Sequence, residues 1–372
     1  MLMPIIRNRG VLKLARNIRA FVEIEFGLTR GQVLDKHSLV AQVDGLDREL
    51  RLAHRQAREQ ARRLEQVRSR LAEAERELAR FRARPSAHPG GPRDGGIDPG
   101  AVVWVFGTAR TGSTWLSSMM AELAGHNLWS EPYAGTLFAP TFYKLPWRLI
   151  GERKAAILSR RYKHVWLKSV RSMVLDGASA RFPEVAEDEY LIVKDPHGSP
   201  GAPVVMEAVP ESRMVLLVRD PRDVVASILD SSGRDGWRDG WEQVDRRDPD
   251  ALARARAELY LESVMGAKQA YDAHQGHKAL MRYEDLRAEP AAGLIRVFSD
   301  IGAVVDEATA RQVAERHSWE KIPDEEKGGG KRRRKAKPGG WREDLTPGQA
   351  KDVERITAPL LGEFYPFPET SA

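Results

Sequence analysis

Residues 107–115, Gly-Thr-Ala-Arg-Thr-Gly-Ser-Thr-Trp, lie between a β-prone run and a helix-prone one. The run before them, residues 101–106, reads Ala-Val-Val-Trp-Val-Phe, the unbroken apolar character of a buried parallel strand. Beyond them, residues 116–123 carry apolar side chains at helical spacing. A strand, a glycine-bounded turn and a helix N-terminus form an anion site, because unpaired backbone N–H groups and the helix dipole point at one spot. The phosphate-loop pattern GxxxxGK[ST] is met at Gly107, Gly112 and Thr114. Ser113, however, stands where the lysine belongs, and the only cation within the loop is Arg110. The missing lysine decides which phosphate chemistry the chain can be expected to run.

Strand-like runs at 101–106, 164–168, 190–194, 214–218 and 278–282 alternate with helical stretches at 113–124, 221–230, 251–273, 290–301 and 347–361. That alternation predicts an α/β fold, a parallel sheet flanked by helices, over residues 101–372. The preceding chain is of another composition. Residues 37–84 are rich in Arg, Glu, Gln, Leu and Ala. With position a at Val43, Leu50, Ala57, Leu64, Leu71 and Leu78, position d falls at Leu46, Ala53, Gln60, Val67, Ala74 and Phe81. Only Gln60 breaks the apolar seam, so an N-terminal coiled coil joining copies of the chain into a homo-oligomer is expected. Residues 1–36 contain a basic amphipathic helix, suited to peripheral contact with a membrane surface or to docking on a partner. Residues 85–100, with Pro, Gly and Ser, read as a flexible linker.

A chain of 372 residues can bury a substantial core. Its formal charge of +6 and pI of about 9.4 admit anionic ligands. No cysteine is present, which excludes disulfides, a thiol nucleophile and cysteine-ligated metal. No apolar run approaches the ~20 residues that span a bilayer, and residues 1–9 lack the apolar core of a secretory signal, so a cytoplasmic protein is expected. No recognition motif points to nucleic acid.

The second informative segment is 214–227, Met-Val-Leu-Leu-Val-Arg-Asp-Pro-Arg-Asp-Val-Val-Ala-Ser. A buried strand ends at Arg219, Pro221 opens a helix, and Ser227 lies two turns along it. Ligands of open α/β sheets bind beyond the carboxyl ends of strands, which puts Arg219 and Ser227 beside the loop. An arginine fork and a hydroxyl suit a second phosphate, although an Arg219–Asp223 pair capping an ordinary helix reads almost as well.

Taken together, these residues resemble the sulfotransferase family that uses 3′-phosphoadenosine 5′-phosphosulfate (PAPS), over most of residues 101–368. The resemblance implies that Arg110, Thr111, Gly112, Ser113 and Thr114 bind the 5′-phosphosulfate, with Arg110 neutralising the leaving phosphate. Trp115 would contact the adenine, and Arg219 and Ser227 the 3′-phosphate. Residues 281–286, Met-Arg-Tyr-Glu-Asp-Leu, are similar to a family strand end that brings Tyr283 to the adenine. His317-Ser318-Trp319 resembles a Thr-Ser-Phe segment, with Trp319 as a flat platform for the base. Residues 334–342 resemble a basic segment that closes over the 3′-phosphate, implicating Arg334, Lys335 and Gly339. In it Ala336 replaces a glycine and Gly340 an aspartate. No metal is implied.

Sulfuryl transfer also needs a base for the acceptor proton. Two residues compete: His197, after the strand ending Leu-Ile-Val-Lys, and Glu131, after the loop helix. A histidine is a natural base near neutrality, whereas a glutamate would need burial to raise its pKa. Residues 133–171, mixing aromatics and cations, are expected to line the acceptor side, for a carbohydrate, glycolipid or other small-molecule acceptor. Two other readings compete with this one. A magnesium-dependent phosphate-loop kinase or NTPase would use Thr114 on the metal. A non-catalytic coiled-coil scaffold would carry a nucleotide-binding domain.

Overall fold

The computed structural model describes residues 96–139, 152, 156–231, 248–331 and 333–365. The first apolar run forms β1 (Val102–Phe106), buried at every position. It passes through the glycine-bounded loop into α1 (Ser113–Leu123), whose N-cap is Gly112. In order there follow β2 (Leu128–Ser130), α2 (Lys163–Arg181), β3 (Leu191–Lys194), α3 (Ala202–Ala208), β4 (Arg213–Val218) and α4 (Pro221–Ser231). The chain then forms α5 (Pro249–Ala273), β5 (Lys278–Arg282), α6 (Tyr283–Ala288), α7 (Pro290–Asp300) and α8 (Glu307–Arg316). It closes with α9 (Trp341–Asp344) and α10 (Pro347–Phe364).

All strand pairs are parallel, in the order β2-β3-β1-β4-β5. β1 is the central strand; from it the chain passes to the edge strand β2, returns to β3 beside β1, and then crosses to β4 and β5 on the other side. Such a reversal opens a crevice beyond the carboxyl ends of the strands, and the loop leaving β1 sits in it. Register carries Lys194, the last residue of β3, level with Val105 of β1.

The pleat of β1 divides the core. Val102, Trp104 and Phe106 pack with Trp166, Val170, Val174 and Ala178 of α2 on one face. Val103 and Val105 pack with Leu116, Met119 and Met120 of α1 and with Leu294, Val297 and Phe298 of α7 on the other. Strands buried on both faces explain the unbroken apolar runs.

One expected strand is a helix. Residues 164–168 begin α2, because Trp166, Val170, Val174 and Ala178 recur every four residues and form its buried stripe. A five-residue β-prone window had masked that longer period. The fifth strand is β2, three residues at the sheet edge, too short to show alternation. The coiled coil at 37–84, the helix within 1–36 and residues 85–95 of the linker lie outside the described residues. So does part of the stretch expected on the acceptor side.

Candidate active site

Gly107 is forced by packing: a Cβ there would stand 2.4 Å from the Leu217 carbonyl oxygen. Gly112 has φ +88°, and a Cβ on it would meet the Tyr283 ring at 2.6 Å. The loop therefore approaches β4 at one glycine and the Tyr283 ring at the other. Arg110 itself is left-handed, at φ 72°, a conformation that a side chain disfavours and that recurs at functional loops. The Thr111 side chain is fully buried and its hydroxyl donates to the Thr108 carbonyl at 2.7 Å, bracing the loop from within. Ser113 is buried beneath the turn, and Thr114 is exposed at its rim.

Arg110 turns toward α4, donating from Nε to the Ser227 hydroxyl at 2.9 Å. Arg219 donates to the Arg110 carbonyl at 3.0 Å and stacks on Tyr283, 4.4 Å from the ring centroid. Three residues from three separate elements thus converge in one pocket. Its floor is fixed by Tyr260, whose hydroxyl donates to the Arg219 carbonyl at 2.7 Å. Glu284 adds to it, accepting from the Asp220 N–H at 3.0 Å and the Tyr365 hydroxyl at 2.8 Å. The Arg219 Nε is buried with no hydrogen-bond partner among the described residues, a donor left to be satisfied by an anion.

The aromatic residues also gather. Trp115 meets Tyr283 edge to face at 6.2 Å and donates from Nε1 to the His317 carbonyl at 2.9 Å. His317 is tied back to α1 through Glu122, at 2.8 Å. Trp319 follows, half-buried, with the Lys327 ammonium 5.4 Å from its ring centroid.

The basic closing segment folds onto α4. Asp223 accepts the Gly339 N–H at 2.7 Å and the Trp341 N–H at 2.9 Å, while standing 3.8 Å from Arg219. Burial pushes the Asp223 carboxyl up, against the pull of Arg219 and the two N–H groups. Asp223 is therefore more than a helix cap, since it fastens residues more than a hundred positions away. Arg334, largely buried, pairs with Asp344 and lies 3.7 Å from Asp230. Burial, with the like charge of Arg219 adding to it, draws its pKa below the ordinary guanidinium value. Lys335 faces Glu343 and Asp344, at 3.2 and 2.8 Å. Ala336 keeps a left-handed φ of 49° although it is not glycine.

On the other side of the loop, Lys194 reaches across from β3. Its ammonium is 2.6 Å from Glu131 and 3.2 Å from the Thr114 hydroxyl, with the side chain only 4% exposed. Burial alone would raise Glu131, but the hydrogen bond and charge of Lys194, with a smaller contribution from His197, hold it below the ordinary glutamate value. The rise that a glutamate base would need is not found, because the Lys194 ammonium outweighs burial. His197 stacks on Tyr133 at 5.4 Å, and the Tyr133 hydroxyl donates to Glu131 at 3.4 Å. The two candidate bases therefore share one wall.

Residues 103–307 match the family model described as the sulfotransferase family. The chain belongs to that family. The sulfotransferase is similar in structure to mouse sulfotransferase SULT7A1 complexed with PAP, at 11% identity over 72% of this chain and 87% of that one, TM-score 0.47. It is also similar to retinol dehydratase in complex with androsterone and the inactive cofactor PAP, at 17% identity over 74% and 84%, TM-score 0.43. A third structure, the sulfotransferase domain of the Synechococcus PCC 7002 olefin synthase, matches at 17% identity over 76% and 100%, TM-score 0.42. No curated protein matches the chain. The enzyme class is PAPS-dependent, and among the described residues no group of His, Asp and Glu is placed to hold a metal ion. Among them also, no helix is long and apolar enough to cross a membrane.

Two residues beside the expected site residues escaped the sequence reading, Lys194 and Asp195, and Asp223 was read only as a partner of Arg219. For Lys194 a signal existed, a lone charge closing a buried apolar strand beside a phosphate loop without its lysine. Asp195 gave none, and the hold of Asp223 on the closing segment gave none, because the partners there are backbone N–H groups, which carry no side-chain signature.

Proposed function

We propose that this sulfotransferase moves a sulfuryl group from PAPS to a hydroxyl, with an amine the less favoured nucleophile, on a carbohydrate, glycolipid or other small-molecule acceptor. The observation that supports it most is the Arg110–Ser227–Arg219 convergence beside the loop. It is a second anion pocket that a 3′-phosphate would fill and that ATP has no group to occupy. The unpartnered Arg219 Nε and the largely buried Arg334 suit such a phosphate. Tyr283, Trp115 and Trp319 would hold the adenine, and Gly112, Ser113 and the backbone of Thr111 the 5′-phosphosulfate. Lys335 and Gly339 belong to the segment closing over the nucleotide.

In the transfer the acceptor oxygen forms a bond to sulfur as the bond from sulfur to the bridging phosphate oxygen breaks. The electron pair leaves with that oxygen, where Arg110 meets the developing charge. Lys194 lies where it would contact the sulfuryl oxygens, and Glu131 or His197 takes the acceptor proton.

Calorimetric titration with adenosine 3′,5′-bisphosphate (PAP) tests the reading. Binding without magnesium is expected, and a preference for magnesium–ATP would overturn it. The base is decided by a pH profile of PAP formation from PAPS, with water as acceptor. Because Lys194 keeps Glu131 ionised, a glutamate base leaves activity flat through neutrality, and Glu131→Ala abolishes it. An imidazole base gives an acid limb that is absent from a glutamate mechanism, and His197→Ala abolishes activity. Wild-type rates in both variants would remove both residues from the role.

The remaining assignments belong to the same proposal: a cytoplasmic enzyme with a catalytic domain at 101–372, assembled through residues 37–84, with the segment 1–36 suited to peripheral membrane contact. Deleting residues 1–84 should reduce the number of chains per particle that light scattering reads, beyond the mass of the residues removed. An unchanged number of chains per particle would count against assembly through this segment.

A further inference from the structure

Asp195 is fully buried, and none of the steps above uses it. It follows Lys194 at the end of β3, and its own N–H donates to the Val105 carbonyl of β1 at 3.1 Å. One carboxylate oxygen accepts the Gly198 N–H at 3.2 Å, and the other the Gly135 N–H at 3.1 Å. The Tyr133 N–H is a third backbone donor to it. The first of these bonds caps the short 3₁₀ turn Pro196–Gly201 that carries His197. The other two hold the segment that carries Glu131 and Tyr133. Backbone packing locks the same two segments together: a Cβ on Gly135 would stand 2.0 Å from the Gly198 carbonyl oxygen, and one on Gly201 1.9 Å from that of Gly135. The turn also reaches the phosphate loop, where the Gly107 N–H donates to the Ser199 hydroxyl at 2.9 Å.

Glu131 and Tyr133 both hold left-handed backbone, at φ 56° and 58°. Side chains disfavour that backbone, so the segment keeps this shape only where neighbouring contacts over-determine it. Asp195 supplies two of those contacts, and it does so from the strand that also delivers Lys194. We propose that Asp195 is a positioning residue that sets the candidate bases Glu131 and His197 against the phosphate loop and so fixes the distance between the acceptor oxygen and the sulfuryl group. Donor binding is expected to change little, because the residues assigned to the adenine and 3′-phosphate lie on other elements and the turn meets the donor loop through the single Gly107–Ser199 bond. A misplacement of about 1 Å in such a wall slows a reaction on the order of 100-fold.

The inference rests on one of the two candidate bases taking the proton, and the test keeps the two questions apart. Asp195→Asn retains the shape and one acceptor oxygen but presents an NH₂ group to a backbone N–H. Its turnover, read as PAP formed from PAPS, should fall on the order of 100-fold, while PAP affinity measured by calorimetry stays near wild type. Asp195→Glu, which restores the charge at a shifted position, should recover turnover only in part. Turnover unchanged in Asp195→Asn overturns the inference. So does a parallel loss of turnover and PAP affinity, or loss of folding in the asparagine variant, since the carboxylate would then support the whole domain. If neither Glu131→Ala nor His197→Ala slows turnover, the assignment of the base fails first, whatever Asp195 does.

Discussion

Replacing Lys194 with methionine should slow PAP formation from PAPS by about 100- to 1000-fold, the effect of removing one preorganised donor from a developing anion, or roughly 3–4 kcal/mol. The site lacks the loop lysine, and the Lys194 ammonium lies 3.2 Å from the hydroxyl of Thr114, the residue after the lysine position. PAP carries no sulfuryl group, so its dissociation constant should change little. A loss of PAP affinity in step with turnover would assign Lys194 to the phosphate instead, and unchanged turnover would exclude it from the chemistry. The same variant has a second readout. Lys194 depresses the Glu131 pKa, so removing the ammonium raises it. A depressed carboxylate stabilises the fold above its unfolded-state pKa and loses that contribution as pH falls through the folded value. Both the acid limb of stability and any activity limb owed to Glu131 should therefore move to higher pH in Lys194→Met.

Arg219→Ala should weaken PAP by about 100-fold or more, in the range of 2–5 kcal/mol for truncating a buried, hydrogen-bonded charge. Adenosine 5′-phosphate should lose only about tenfold, the share owed to the guanidinium stacked 4.4 Å from the Tyr283 centroid, on the order of 1 kcal/mol. The gap between the two ligands is what carries the 3′-phosphate assignment. Equal losses for both would show that Arg219 supports the adenine or the loop alone. Asp223, 3.8 Å from Arg219 and almost wholly buried, is then left without its cation, so thermal stability should be measured alongside.

Much of the donor half was legible because its signals are local. Gly107 and Gly112, the apolar run of β1 and the Pro221 helix start each constrain backbone within a few residues, and short-range rules read such constraints. The resemblance then joined Arg219, Ser227, Tyr283 and Trp319, residues whose elements the fold brings to one end of the sheet. The acceptor half was less legible. Glu131 and His197 were named as alternatives, yet the structure puts them on one wall, bridged by Tyr133 and braced by Asp195. The direction of the Glu131 shift was not legible for the same reason, since a carboxylate pKa depends on which cation the fold places beside it. The 164–168 window failed differently: five β-prone residues looked like a strand until the four-residue stripe from Trp166 to Ala178 was seen at full length.

By itself the sequence determined that a strand enters a glycine-bounded turn at the head of a helix, and that the turn lacks its lysine. Those features need only φ/ψ preferences and apolar periodicity, properties of neighbouring residues. Where the replacement cation would come from was decided only by the tertiary structure. Parallel pairing sets Lys194 level with Val105, and the ammonium then reaches Thr114, 80 residues away in the chain. Strand order and register place that charge, and they arise from the packing of two faces of a sheet rather than from any stretch of sequence around the loop.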